Sequence, residues 1–305
     1  VSLFDRKAVH FALLGATGAA WGFTHPLTKL AVSTGYGPLG IMFWQLVIVA
    51  TISGIALIFR GRRPPVHREA LILYAMIALL GTIVPDFLIY TAAVFIPAGI
   101  LAILMAISPM VSLPIALALG IERFSVRRVS GALVGLVAIL LMIGPDGGLA
   151  SRTEAFWALV VLAAVVFYAT QGNFISWYGQ TDVGAMRMLF GSSLAAMLVI
   201  GPGVIASGQF IDPRMEWTAV EWAVLGTGAL HALAYAGYLS LVSHAGPVFA
   251  SQVSYIVTST GVLWSMLLLK EGYSGWVWLA FALVMMAITL VQPRRAPAIP
   301  GETAP

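Results

Sequence analysis

Thr82, Asp86 and Tyr90 are four residues apart and therefore share one face of a helix. Displaced by 145 residues, Thr227, His231 and Tyr235 repeat the pattern. A carboxyl, an imidazole and hydroxyls on such faces can bind a small polar solute or carry a proton. Thr17, Trp21 and His25 have the same spacing, and Gly15, Gly18 and Gly22 beside them suit close helix packing. Tyr168 and Gln171 stand one turn apart with Asn173 nearby, and Ser251, Gln252 and Tyr255 form a further polar group. We expect Trp21, Tyr90, Tyr168, Tyr235 and Tyr255 to line a central cavity, with His25, Asp86, Gln171, His231 and Gln252 as its polar members. Asp86 also has a structural reading. Pro85 leaves a backbone carbonyl near residue 81 unpaired, and a protonated Asp could donate to it. Catalytic signatures are absent: there is no HExxH motif, GxSxG elbow or P-loop, and no close carboxylate pair within the apolar segments. With 0 cysteines, thiolate metal sites and a Cys nucleophile are excluded, and neither metal nor cofactor is expected.

The segments that carry these residues are apolar. Of 305 residues, 60% are hydrophobic and 9% charged, against roughly 25% charged in average soluble domains. So few charges cannot cover a soluble surface, and the chain reads as an integral membrane protein of the cytoplasmic (inner) membrane. About 20 apolar residues are needed to cross the hydrocarbon core. Candidate spans are 8–32, 38–59, 70–93, 98–119, 127–144, 155–177, 183–206, 219–243, 247–269 and 274–292, which predicts ten transmembrane helices. Runs such as Ala132 to Ile143 do not alternate as barrel strands do, so the expected fold is all-α. No short cleavable leader is expected at the start of the chain. With the N-terminus inside, twelve Lys and Arg flank the inner ends and four the outer ends, which predicts that both termini are cytoplasmic. The net charge of +4 then faces lipid headgroups, and nucleic acid is not an expected partner. The Pro-rich tail at 293–305 is expected to be flexible.

An internal repeat organises the chain. Leu80-Gly81-Thr82 with Tyr90 recurs 145 residues on as Leu225-Gly226-Thr227 with Tyr235, and Glu122 recurs 149 residues on as Glu271. The expected units are 1–148, holding helices 1–5, and 149–292, holding helices 6–10. Five being odd, the second unit starts on the opposite face, and the repeat is inverted. Inverted repeats imply a transporter with its site at the repeat interface and alternating access as mechanism.

Ten helices, five-plus-five repeats, Trp21-Gly22, Ala106-Ile107-Ser108-Pro109, Gly120-Ile121-Glu122-Arg123 and Leu269-Lys270-Glu271 resemble the EamA-type branch of the drug/metabolite transporter superfamily. Within it the chain is most similar to the YddG-type aromatic amino-acid exporters. The resemblance implies export of aromatic and other apolar amino acids. In one respect the chain departs: many such proteins carry Arg early in both helices 2 and 7, whereas here Arg187 is matched by Met42-Phe43-Trp44. The residues themselves disfavour phosphorylated substrates, which need deep Lys or Arg. A cavity of aromatics, hydroxyls and amides suits a small zwitterion. The alternatives are a facilitator for another neutral metabolite or drug, and a non-transporting structural subunit. Amino acids and membrane lipid are the expected partners, and the expected state is a monomer or weak homo-oligomer.

Pro109 removes a backbone hydrogen bond in helix 4, and Gly261 closes a Thr258-Ser259-Thr260 run of weak helix preference in helix 9. These are the expected hinges. Pro109→Ala or Gly261→Ala should slow transport more than it weakens substrate binding; wild-type rates in both variants would place the hinges elsewhere.

Overall fold

The structure, a computed structural model, describes residues 3–33, 35–144, 149, 151–178 and 183–292. The expected turn at 145–148 and the tail from residue 293 lie outside the described residues. Among the described residues there are helices and turns and no strand. In chain order the helices are α1 (Leu3–Ala31), α2 (Pro38–Phe59), α3 (Arg68–Ala93), α4 (Ala98–Ala118) and α5 (Val126–Ile143). Then follow α6 (Arg152–Tyr178), α7 (Ala185–Ala206), α8 (Ala219–Ala245), α9 (Val253–Leu269) and α10 (Gly275–Val291). Among the described residues, seven helices, α2 to α8, are long and apolar enough to cross a membrane, and α9 and α10 are shorter apolar helices. At 29 residues α1 has the length but not the apolarity, because Thr17, Thr24, His25, Thr28 and several glycines interrupt it. The three threonines are buried, since α1 packs against both α8 and α9.

Three helices depart from regularity where the sequence removes or crowds a hydrogen bond. Pro85 has no N–H for the Gly81 carbonyl, and α3 widens there into a π-helical turn over Leu79–Ile83, with the Val84 N–H on the Leu79 carbonyl. Helix α4 divides into Ala98–Met105 and Ser108–Ala118, with Pro109 in the first turn of the second piece. The apolar stretch 247–269 is not one helix. A single turn, Pro247–Ala250, precedes α9, and tight three-residue turns at Ser251 and Gln252 join them. Helix α9 itself runs unbroken through Gly261.

The packing partners pair off in a regular way. Helix α1 lies on α8 and α9, as α6 lies on α3 and α4; α2 packs on α7, α4 on α9 and α5 on α10. Side-chain bonds fix the two ends of the bundle. At one end Tyr36 Oη donates to Glu221 (2.6 Å), Trp44 Nε1 to the Ile211 carbonyl (2.9 Å), and the Leu39 N–H to Gln209 (3.1 Å). The hydrogen bond to Glu221 pushes the Tyr36 hydroxyl above the usual phenol range, so it stays a donor. At the other end Arg127 and Arg128 bond the last carbonyls of α10, where cations favour a helix C-terminus.

A close helix contact runs along α1. A Cβ on Gly18 would lie 2.6 Å from Ile256 Cγ2, and one on Gly22 would lie 2.7 Å from the Val257 carbonyl oxygen. Trp264 Nε1 of α9 donates to the Ala19 carbonyl at 3.3 Å, and Thr260 Oγ1, which donates to the Ile256 carbonyl of its own helix at 2.6 Å, comes within 3.3 Å of the Gly18 carbonyl. Spaced four apart, the two glycines let two backbones meet, as small residues do in membrane helix pairs. Gly15, three residues earlier, faces open space. Gly22→Ala should therefore lower the melting temperature of the purified protein. Gly15→Ala should leave it unchanged or raise it, since Ala adds up to ~1 kcal/mol of helix preference over Gly. Equal effects of the two substitutions would contradict this packing.

Candidate functional site

The expected site residues assemble into two groups on different helices. In the first, Tyr168 of α6 donates its hydroxyl to the Asp86 carboxyl of α3, and Tyr90 of α3 donates to Gln45 of α2. Tyr90 and Tyr168 both lie within electrostatic reach of Asp86. The Gln171 amide rests on the π-helical turn: a Cβ on Gly81 would lie 2.6 Å from its Oε1. Asn173 ties α6 to α4 through Ser112 Oγ at 2.8 Å. In the second group, the Trp21 ring of α1 meets His231 of α8 edge-on, with centroids 5.7 Å apart and planes at 88°. Tyr238 stands 6.3 Å from the same indole, and Tyr235 lies close to Tyr238.

These groups correspond. Trp21 and Tyr168 are 147 residues apart, and Asp86 and His231 are 145 apart. The first-helix aromatic of each half meets the third-helix ionisable residue of the other half. Asp86, Tyr168, Trp21, His231 and Tyr235 are only half-buried, while Tyr90 is 4% exposed. A carboxyl that kept no partner in a membrane interior would be costly, and the Tyr168 bond meets part of that cost.

Other expected members stand apart. His25 packs beside Gly261, where a Cβ would come within 3.0 Å of its Cδ2 and 2.8 Å of Ala102 Cβ. Gly261 is therefore a close-packing point of α1, α4 and α9. Tyr255 Oη donates to Thr289 Oγ1 of α10 at 3.2 Å. Gln252 lies at the end of the bundle, just before α9. Thr227 returns its hydroxyl to the Ala223 carbonyl of its own helix. The sequence reading missed Gln45 and Tyr238. Gln45 is the one amide in the apolar run of α2, and that isolation was the available signal. Tyr238 follows His231 by seven residues, two turns along the same face.

Comparison with known proteins gives the class. The EamA-like transporter family profile matches this chain twice, at residues 7–144 and 155–292. The chain belongs to the EamA-like transporter family. It is a multi-pass membrane transporter. Its relatives include the uncharacterized inner membrane transporter YedA of Escherichia coli K12, 26% identical over 287 residues, covering 92% of this chain and 90% of YedA. A probable terminal-alkyne amino-acid exporter of Streptantibioticus cattleyicolor is 26% identical over 188 residues, covering 61% of this chain and 62% of that protein. A crystal structure of another protein, at 17% identity, shares the fold with a TM-score of 0.59 over 90% of this chain and 97% of that one.

In the transporter, Tyr168→Phe removes the donor to Asp86 and leaves the carboxyl to find another partner. Losing a hydrogen bond to such a group costs about 1.5–3 kcal/mol. Tyr168→Phe should lower the melting temperature in detergent, and the added Asp86→Leu should recover part of the loss. An unchanged melting temperature for Tyr168→Phe would show that the pair contributes nothing to stability.

Proposed function

We propose that this chain exports amino acids, aromatic and other apolar or neutral ones, across the inner membrane by alternating access. The reading has two inverted five-helix units, 1–148 and 149–292, ten membrane helices and both termini in the cytoplasm. The observation that carries it is the matched pairing of Tyr168 with Asp86 and Trp21 with His231. One ionisable group and one aromatic from each half is what a site shared between two repeats requires. The double family match supports the repeat, and the charge bias of the helix ends supports the orientation. In this reading, Asp86 with Tyr168 takes the substrate ammonium. His231 and nearby helix ends face the carboxylate, and Trp21, Tyr90, Tyr235 and Tyr238 face the side chain. The amino-acid exporter among the relatives supports the substrate class, and the YddG-like preference for aromatic side chains rests on the aromatic content of both groups. Pro109 and Gly261 remain the proposed hinges; α4 divides just before Pro109, whereas α9 runs unbroken through Gly261, close against α1 and α4.

Proteoliposomes loaded with radiolabelled amino acids test the proposal. Phenylalanine, tryptophan and leucine should exchange faster than through empty liposomes, and Asp86→Asn should reduce exchange by about tenfold, the equivalent of one charged contact. No exchange of any member of a full amino-acid panel would refute the substrate class.

A further inference from the structure

The turn between α3 and α4 is held from both sides by opposite charges. Lys29, near the end of α1, donates its ammonium to three carbonyls at the close of α3: Ala93 at 2.8 Å, Val94 at 3.0 Å and Ile96 at 3.0 Å. Glu271, just after α9, accepts from the first two N–H groups of α4: Ala98 at 2.8 Å and Gly99 at 3.1 Å. A cation thus sits on the negative end of one helix and an anion on the positive end of the next, the favourable sense for both helix dipoles. Tyr273 adds its hydroxyl to Glu271. Burial and that bond push the Tyr273 pKa above its ordinary value, so it donates at neutral pH. The hydroxyl end of its ring abuts Gly99, where a Cβ would come within 2.6 Å of Cζ. The consequence is that α1 and α9 are both fastened to the same turn, and α9 packs against the adjoining piece of α4, Ala98–Met105.

The opposite end is built differently. Glu122 follows α4 as Glu271 follows α9, 149 residues apart. Among the described residues, Glu122 bonds to no neighbouring hairpin. It pairs with Arg128 of the next helix, α5, at 2.7 Å. The second piece of α4, Ser108–Ala118, packs on α6, α5 and α10. Equivalent glutamates thus hold different elements, which is the asymmetry expected of a bundle closed at one end.

We propose that Lys29 and Glu271 form an electrostatic latch that closes the bundle at the α3–α4 turn, and that the turn must leave both residues for this end to open. The latch rests on the alternating-access reading but not on the identity of the substrate. Releasing it breaks five charge-assisted hydrogen bonds at once, so the closed state is strongly favoured until binding or the opposite end repays their loss.

The natural absence of cysteine allows a direct test. Ala102 is 2% exposed on the piece of α4 beneath the latch, against Gly261. Ala102→Cys is placed in the wild-type chain in lipid nanodiscs, and its rate of reaction with a soluble maleimide is measured without substrate. Adding Lys29→Gln or Glu271→Gln should each speed labelling by about tenfold, the population change that follows from losing one charged contact. Gly99→Leu, which wedges Tyr273 away without altering any charge, should speed it likewise. Arg128→Gln, at the opposite end, should not. Each variant is taken forward as a monodisperse peak, so that labelling reports opening rather than unfolding. Equal labelling in all variants overturns the latch, as does equal acceleration by Arg128→Gln. Because no substrate is present, absence of amino-acid exchange would refute the substrate class while leaving this readout intact.

Discussion

A polar group inside hydrocarbon has no water to turn to, so it must find its partner within the protein. The positions of most candidate site side chains here follow from that constraint. Asp86 is accepted because Tyr168 of another helix donates to it, and Tyr90 because Gln45 accepts from it. Asn173 is spent on Ser112 and on its own helix. The constraint reaches the backbone as well. Where Pro85 removes an N–H, α3 answers with a π-helical turn, and Gln171 lies against it. Where the α3–α4 turn leaves helix ends open, Lys29 and Glu271 fill them. Each solution ties one helix to a neighbour, so satisfying polar groups and setting the tertiary contacts are the same event.

Close packing supplies the second requirement. Helix α1 is the least apolar of the long helices and packs against both α8 and α9. Gly18 and Gly22 allow α9 to approach until Thr260 and Trp264 reach α1 carbonyls. The same helix presents Trp21 to His231 on α8. One face therefore packs closely against α9 while another displays an aromatic ring.

Much of this was legible in the sequence. Apart from 247–269, where a separate turn precedes α9, the apolar runs locate the helices to within about five residues, because the hydrocarbon thickness fixes their length. Asp86 and His231 stand out as ionisable groups in apolar segments, and their offset of 145 residues relates the two halves. Helix irregularities were less legible. Pro85 and Pro109 mark where bonds are missing, but the way each helix relieves the loss depends on its neighbours. Pairing was the least accessible. Spacing places Trp21 and His25 on one stripe of α1, yet His25 turns to Gly261 and Trp21 to His231, because α9 and α8 approach α1 from different sides. Lys29 reads as an ordinary charge at a helix end and Glu271 stands out only as the repeat of Glu122, since nothing in a linear sequence says that the two ends meet at one turn.

The central claim is that the two matched groups, Asp86 with Tyr168 and Trp21 with His231, bind one solute between them. The most direct measurement is a cryo-electron microscopy or crystal structure determined with phenylalanine or tryptophan bound. The account predicts ligand density in contact with residues of both groups, its amino end toward Asp86. Density confined elsewhere, for example in the cleft lined by Trp44, Trp217 and Glu221 near the end of the bundle, with both groups unchanged, would contradict it.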